Sequence, residues 1–173
     1  MMFLGLGSNL GDRKRNFEQA FTLLTEGGNA PLVIDRVSSV YESAALLPDG
    51  APKEWNIPYY NIVLSASSKV EPEETLAWVK AVEQQMGRKD IGRWGPRIID
   101  IDILSFNNKA YQLDGLVLPH PEMLKRDFVM VPLAEIAPDW RHPNGKTARQ
   151  WVDENKMAEG LDLKRTDVVL QWR

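Results

Sequence analysis

Residues 98–104, Ile-Ile-Asp-Ile-Asp-Ile-Leu, alternate with period two. A strand sorts such a pattern onto two faces, where a helix would scatter it around its axis. Ile99, Ile101 and Ile103 share one face, which a core must cover. Asp100 and Asp102 share the other. Aspartate is depleted in strands, and two carboxylates about 7 Å apart on one face repel each other. A cation between them removes that cost. Mg²⁺ fits best, because it is hard, prefers oxygen, and is held by one or two carboxylates plus phosphate oxygens. Just upstream, Arg88, Arg93 and Arg97 are interspersed with Gly92, Gly95 and Pro96, too much punctuation for a helix. Guanidinium groups grip phosphate oxygens two at a time. Either half alone has an ordinary explanation, a solvated edge or a salt-bridged surface. Joined on a strand whose other face is pure isoleucine, they read as a metal–polyphosphate site.

The rest of the chain sets bounds on that site. Its 173 residues suit a single domain, 1–173, with a real core. A net charge of −3 gives no global basic field for nucleic acid, so an anion site has to be a local cluster. With no cysteine there is no disulfide framework, thiolate metal site or thiol nucleophile. The apolar runs are too short to span a bilayer, and Met1-Met2-Phe3-Leu4-Gly5 is not a secretory pattern. A cytoplasmic protein without a membrane or nucleic-acid partner is expected.

Patterning predicts strands at 2–6, 32–41, 59–70 and 98–104. A first helix is capped by Asp12 and buries Phe17, Ala20, Phe21 and Leu24; a second starts at Pro72 and buries Leu76, Val79, Val82 and Met86. Between the second and third strands lies a long loop, 42–58. The order is β-α-β-β-α-β, which predicts an α+β, ferredoxin-like sheet, mainly antiparallel, with flanking helices. Short strands are expected at 110–113 and 116–118, helical turns at 122–125 and 132–136, a helix at 147–154 capped by Thr147, and a final strand at 167–172. Gly5-x-Gly7 after a strand lacks the spacing and the βαβ series of a dinucleotide site.

Three stretches carry a family resemblance. Arg93-Trp94-Gly95-Pro96-Arg97-x-x-Asp100-x-Asp102 resembles the signature of the 6-hydroxymethyl-7,8-dihydropterin pyrophosphokinases of folate synthesis. Gly5-Leu6-Gly7-Ser8-Asn9-Leu10-Gly11-Asp12 is similar to the family's first motif. Leu118-Pro119-His120-Pro121, with Arg126-x-Phe128-Val129 and Pro132-Leu133, is similar to its third. The resemblance implies the same core fold and transfer of diphosphate from ATP to the pterin hydroxymethyl group, with release of AMP.

It also implies roles for individual residues. Asp100 and Asp102 hold two Mg²⁺ ions, and Asp100 also borders the pterin. Arg88 and Arg97 clamp the phosphates of ATP, the co-substrate, while His120, Arg126 and Ile103 contact the nucleotide. Arg93 is either a loop contact to ATP or a salt bridge, and Glu83 either binds the nucleotide or lies on a solvated face. Trp94 is a lid over the substrates or a plain loop anchor. On the pterin side, Phe128 stacks on the ring, Asn61 pairs with its edge, and the loop positions Ser43 and Leu46 read it. Tyr59 is a candidate for the ring's opposite face. From pattern alone Phe128 is core, since 128–131 is apolar throughout.

Lys80 stands where a polar base contact is expected and reads as solvated. The segment after Gly145 is either an extension of the domain or a linker toward a fused or associated partner, for which dihydropteroate synthase is the candidate. Two other readings compete: a different metal- and nucleotide-dependent transferase using Asp-x-Asp, and a non-catalytic domain that binds pterin or nucleotide.

Overall fold

A computed structural model describes residues 1–26, 30–47, 49–88, 95–158 and 163–172. Eight strands are β1 (Met2–Ser8), β2 (Leu32–Val37), β3 (Tyr41–Ser43), β4 (Tyr59–Ser68), β5 (Asp100–Phe106), β6 (Tyr111–Leu113), β7 (Leu116–Leu118) and β8 (Leu163–Arg165). Four helices are α1 (Arg13–Thr25), α2 (Pro72–Gln85), α3 (Asp127–Ile136) and α4 (Ala148–Ala158). The main sheet runs β5-β1-β4, with β2 and β3 following one another along the outer edge of β4 and β8 outside β3. Every pairing in it is antiparallel. β6 and β7 form a separate hairpin.

Period two divides the core between the faces of the sheet. On one face Leu4, Leu6, Ile62, Leu64, Ile101 and Ile103 meet Phe17, Phe21 and Leu24 of α1 and Val79 and Val82 of α2. Each such side chain contributes about 1.5–3 kcal/mol by leaving water. On the other face Phe3, Val63 and Leu104 pack with Val129, Met130 and Leu133 of α3 and with Trp151 and Val152 of α4. Asp12 caps α1 as expected, accepting the Arg15 N–H at 3.0 Å. Among the described residues no helix is long and apolar enough to cross a membrane.

The sheet departs from the sequence expectation in three places. The strand expected over 32–41 divides into β2 and β3. Its register shifts between Ile34 and Arg36, and the Ser38 hydroxyl takes over the Val63 N–H at 3.0 Å. α3 begins five residues before Pro132. That proline reads as a helix start but sits inside the helix, where its missing N–H leaves the Phe128 carbonyl without its usual partner. At the carboxyl end the ladder strand is β8; 167–172 makes no ladder. The Thr166 N–H still reaches the Val40 carbonyl at 2.9 Å, and Val168, Leu170 and Trp172 pack on the first core.

Candidate active site

α3 and α4 cover only part of their face of the sheet. Toward the end of β1 that carries Ser8, this face presents Gly5 and Gly7, which add no side chain. In register beside them stand Asp102 and Asp100 on β5, and beyond Gly7 on the other side stands Asn61 on β4. A Cβ at Gly7 would lie 3.5 Å from the Tyr59 ring and 3.6 Å from the Asn61 Oδ1; at Gly5 it would lie 3.4 Å from Leu104. The two glycines are the floor of a cavity of about 300 Å³. Tyr59 and Asn61 of β4, Ser43 of β3, Asp100 and Asp102 of β5, and Phe128 of α3 are among its walls.

One wall is charged. Arg88 and Arg97 each reach Asp100 Oδ1 at 3.0 Å. Arg126 reaches Asp102 Oδ2 at 3.4 Å, and His120 Nε2 stands 3.9 Å from the same oxygen. One oxygen of each carboxylate thus stays outside these ion pairs. The His120 Nδ1 accepts the Glu122 N–H at 3.2 Å, which puts the ring proton on Nε2, facing Asp102. Burial pushes the His120 pKa below its ordinary value, against the upward pull of Asp102. The imidazole is therefore neutral at neutral pH.

Two carboxylates on one strand face fit a hard divalent cation that completes its shell with phosphate oxygens and water. Among the described residues no group of three or more His, Asp or Glu would cage a metal by protein alone.

The other wall is neutral. Asn61 is buried and donates to the Ser43 hydroxyl at 2.9 Å and to the Tyr41 carbonyl at 3.4 Å, leaving its Oδ1 toward Gly7. The Tyr59 hydroxyl donates to the Gly95 carbonyl at 3.3 Å, and burial raises its pKa. Phe128 opens the first turn of α3 and borders the cavity, with the Arg126 guanidinium 5.8 Å from its ring centre. Leu46 also borders the cavity but is exposed.

Most of the expected site residues thus converge on one cavity. Ile103 does not: its side chain is buried in the opposite core. Glu83 is buried behind Arg88 rather than open to the cavity, and Lys80 lines the cavity rather than standing free in solvent. Arg93 and Trp94 lie outside the described residues.

Two residues escaped the sequence reading. Asn9 is buried; its Oδ1 accepts the Arg97 N–H at 2.7 Å and its amide donates to the Ile57 carbonyl at 3.1 Å, joining the segments on either side of the cavity. Arg13 lies over the Tyr60 ring at 3.4 Å and donates to Glu42 at 3.0 Å and to the Pro58 carbonyl at 2.9 Å. The signal for Asn9 was its place inside the first motif. Nothing marked Arg13.

The 7,8-dihydro-6-hydroxymethylpterin-pyrophosphokinase (HPPK) family profile matches residues 3–138. A 2-amino-4-hydroxy-6-hydroxymethyldihydropteridine pyrophosphokinase of Aquifex aeolicus is 40% identical over 157 residues, covering 90% of this chain and 92% of that protein. A folate synthesis bifunctional protein of Chlamydia trachomatis is 38% identical over 152 residues, covering 83% of this chain and 33% of that protein. A crystal structure of wild-type Plasmodium falciparum HPPK-DHPS with SDX-DHP superposes with a TM-score of 0.72 at 17% identity, covering 95% of this chain and 47% of that one. The chain therefore spans about a third of the bifunctional bacterial relative and about half of the Plasmodium chain.

Proposed function

The chain belongs to the 7,8-dihydro-6-hydroxymethylpterin-pyrophosphokinase family, and from that premise we propose that it transfers diphosphate from ATP to the hydroxymethyl group of 6-hydroxymethyl-7,8-dihydropterin in folate synthesis. The hydroxymethyl oxygen forms a bond to the β-phosphorus and gives up its proton to solvent. The bond from that phosphorus to the α,β-bridging oxygen breaks, and AMP leaves with the electron pair. Such a transfer asks the protein for in-line placement and charge neutralisation more than for covalent chemistry.

The observation that carries the reading is the cavity's division into a carboxylate–arginine wall and a neutral wall bearing a buried amide and two aromatic rings. Asp100 and Asp102 would hold Mg²⁺, which would supply charge neutralisation at the phosphates when bound. Arg88, Arg97 and Arg126 grip the phosphates, and His120 donates from Nε2. On the opposite wall Asn61 pairs with the heterocycle's edge, and Phe128 and Tyr59 flank its faces. Ser43 fixes the amide of Asn61 by accepting its N–H.

The fold reads as ferredoxin-like. In support, the strand order is β5-β1-β4-β2 and helices follow β1 and β4. A cytoplasmic setting and an association with dihydropteroate synthase belong to the same proposal; relatives named as bifunctional support the association.

The test mixes the protein with ATP, Mg²⁺ and the hydroxymethyl dihydropterin. AMP that appears with pterin, and disappears in Asp100→Ala and Asp102→Ala, supports the reading. ADP in its place would mean simple phosphoryl transfer. No turnover by folded protein would favour a binding domain.

A further inference from the structure

Among the described residues, Glu83 is the one charged side chain in the buried set, at 1% exposure. A buried carboxylate is costly unless its oxygens are fully engaged. Here they are. Oε1 accepts the Ile101 N–H at 2.6 Å. Oε2 pairs with Arg88 and, at 3.0 Å, with Lys80.

These partners have a common geometry. Among the described residues β5 is an edge of the sheet and pairs with β1 alone, so the outward N–H and C=O of Ile101 meet no described strand. Glu83 accepts that N–H, and the Lys80 ammonium approaches the carbonyl of the same residue at 3.4 Å. The two lie three apart on α2, on one face of the helix, and together substitute for a neighbouring peptide group. The residue they hold is the one between Asp100 and Asp102. The same carboxylate also anchors Arg88, which carries the contact on to Asp100 Oδ1 at 3.0 Å.

We infer that Glu83 is a positioning residue that acts through Arg88 and the β5 edge and does not touch the nucleotide. This goes beyond the proposed reaction but takes its activity readout from it. Glutamine at 83 keeps an acceptor for the Ile101 N–H. It loses the charge, and its amide donors meet the guanidinium.

The test is a cycle of Glu83→Gln and Arg88→Met, read as AMP formation and as nucleotide affinity. Glu83→Gln alone is expected to lower AMP formation about 10- to 100-fold with the pterin KM unchanged. In the Arg88→Met background the same change should cost at most about twofold, because the route through Arg88 is already gone and the glutamine still accepts the Ile101 N–H. Three results overturn the inference: a further fall of about tenfold in the double variant, a further weakening of nucleotide binding there, or a double variant that fails to fold where Arg88→Met folds. If Glu83→Gln alone does not fold, the comparison of Arg88→Met with the double variant still decides. If the wild-type protein makes no AMP, the proposed reaction fails by itself. The cycle is then read from nucleotide affinity, which Glu83→Gln should weaken only while Arg88 is present.

Discussion

On one wall of the cavity, Asp100 and Asp102 are held by Arg88, Arg97 and Arg126 in ion pairs of 3.0–3.4 Å. On the other, Asn61 and Ser43 share a neutral hydrogen bond of 2.9 Å. One oxygen of each carboxylate stays outside these pairs, and each arginine enters them through Nη1 alone. The neutral wall has its amide already oriented by Ser43 and Tyr41. Charge gives the first wall strength; burial gives the second a fixed shape.

The comparison breaks most sharply at the carboxylates. Asp100→Ala or Asp102→Ala should lower AMP formation about 10³-fold, the scale of losing a charge-stabilising group, while pterin affinity by fluorescence titration moves less than about twofold. Equal loss of pterin binding would mean that the walls are one unit. Asn61→Ala should do the reverse, raising the pterin Kd roughly 10- to 100-fold and leaving ATP affinity by calorimetry in place. Raising salt from about 0.05 to about 0.5 M should weaken nucleotide binding roughly tenfold by screening and leave pterin binding within about twofold.

The smallest effect sharpens the contrast at its margin. Tyr41, at the root of β3, donates to Glu135 at 3.0 Å. Burial first, then that carboxylate, push its pKa from 10.0 up to about 12. The folded state therefore holds the phenol proton longer than the unfolded chain does. Stability is full below pH 10 and falls as pH rises toward about 12. Tyr41→Phe should flatten that alkaline decline in denaturation midpoints.

The charged wall was legible in sequence because it violates a local rule. Two aspartates alternating with isoleucines are out of place in a strand, and with the arginines just upstream they mark a charged face. The neutral wall breaks no rule. Phe128 sits in an apolar run and reads as core, and only the motif around Arg126 assigns it to a ligand; the structure places it at the cavity's border. Asn61 is one polar residue in a strand that otherwise packs.

What escaped altogether depends on distant pairing. Asn9 meets Arg97 across 88 positions, and Arg13 meets Pro58 across 45. The break between β2 and β3 comes from Ser38 accepting a backbone proton from Val63, and no periodicity in 32–41 encodes that. Lys80 read as solvated because the helix pattern shows which face it is on, not that the facing edge strand lacks a partner.

β1 lies inside the sheet, yet its neighbours are β4 and β5, whose last residues paired with it are Ala66 and Phe106. A ribosome adding about 5–20 residues per second takes roughly 5–20 s to pass from the first strand to the last of these. Throughout that interval the apolar strand has one edge or both unfilled. The glycine floor and the acid pair can meet only after β5 has been made. A partly made chain can therefore hold the neutral wall, on β1, β4 and β3, before the charged wall exists.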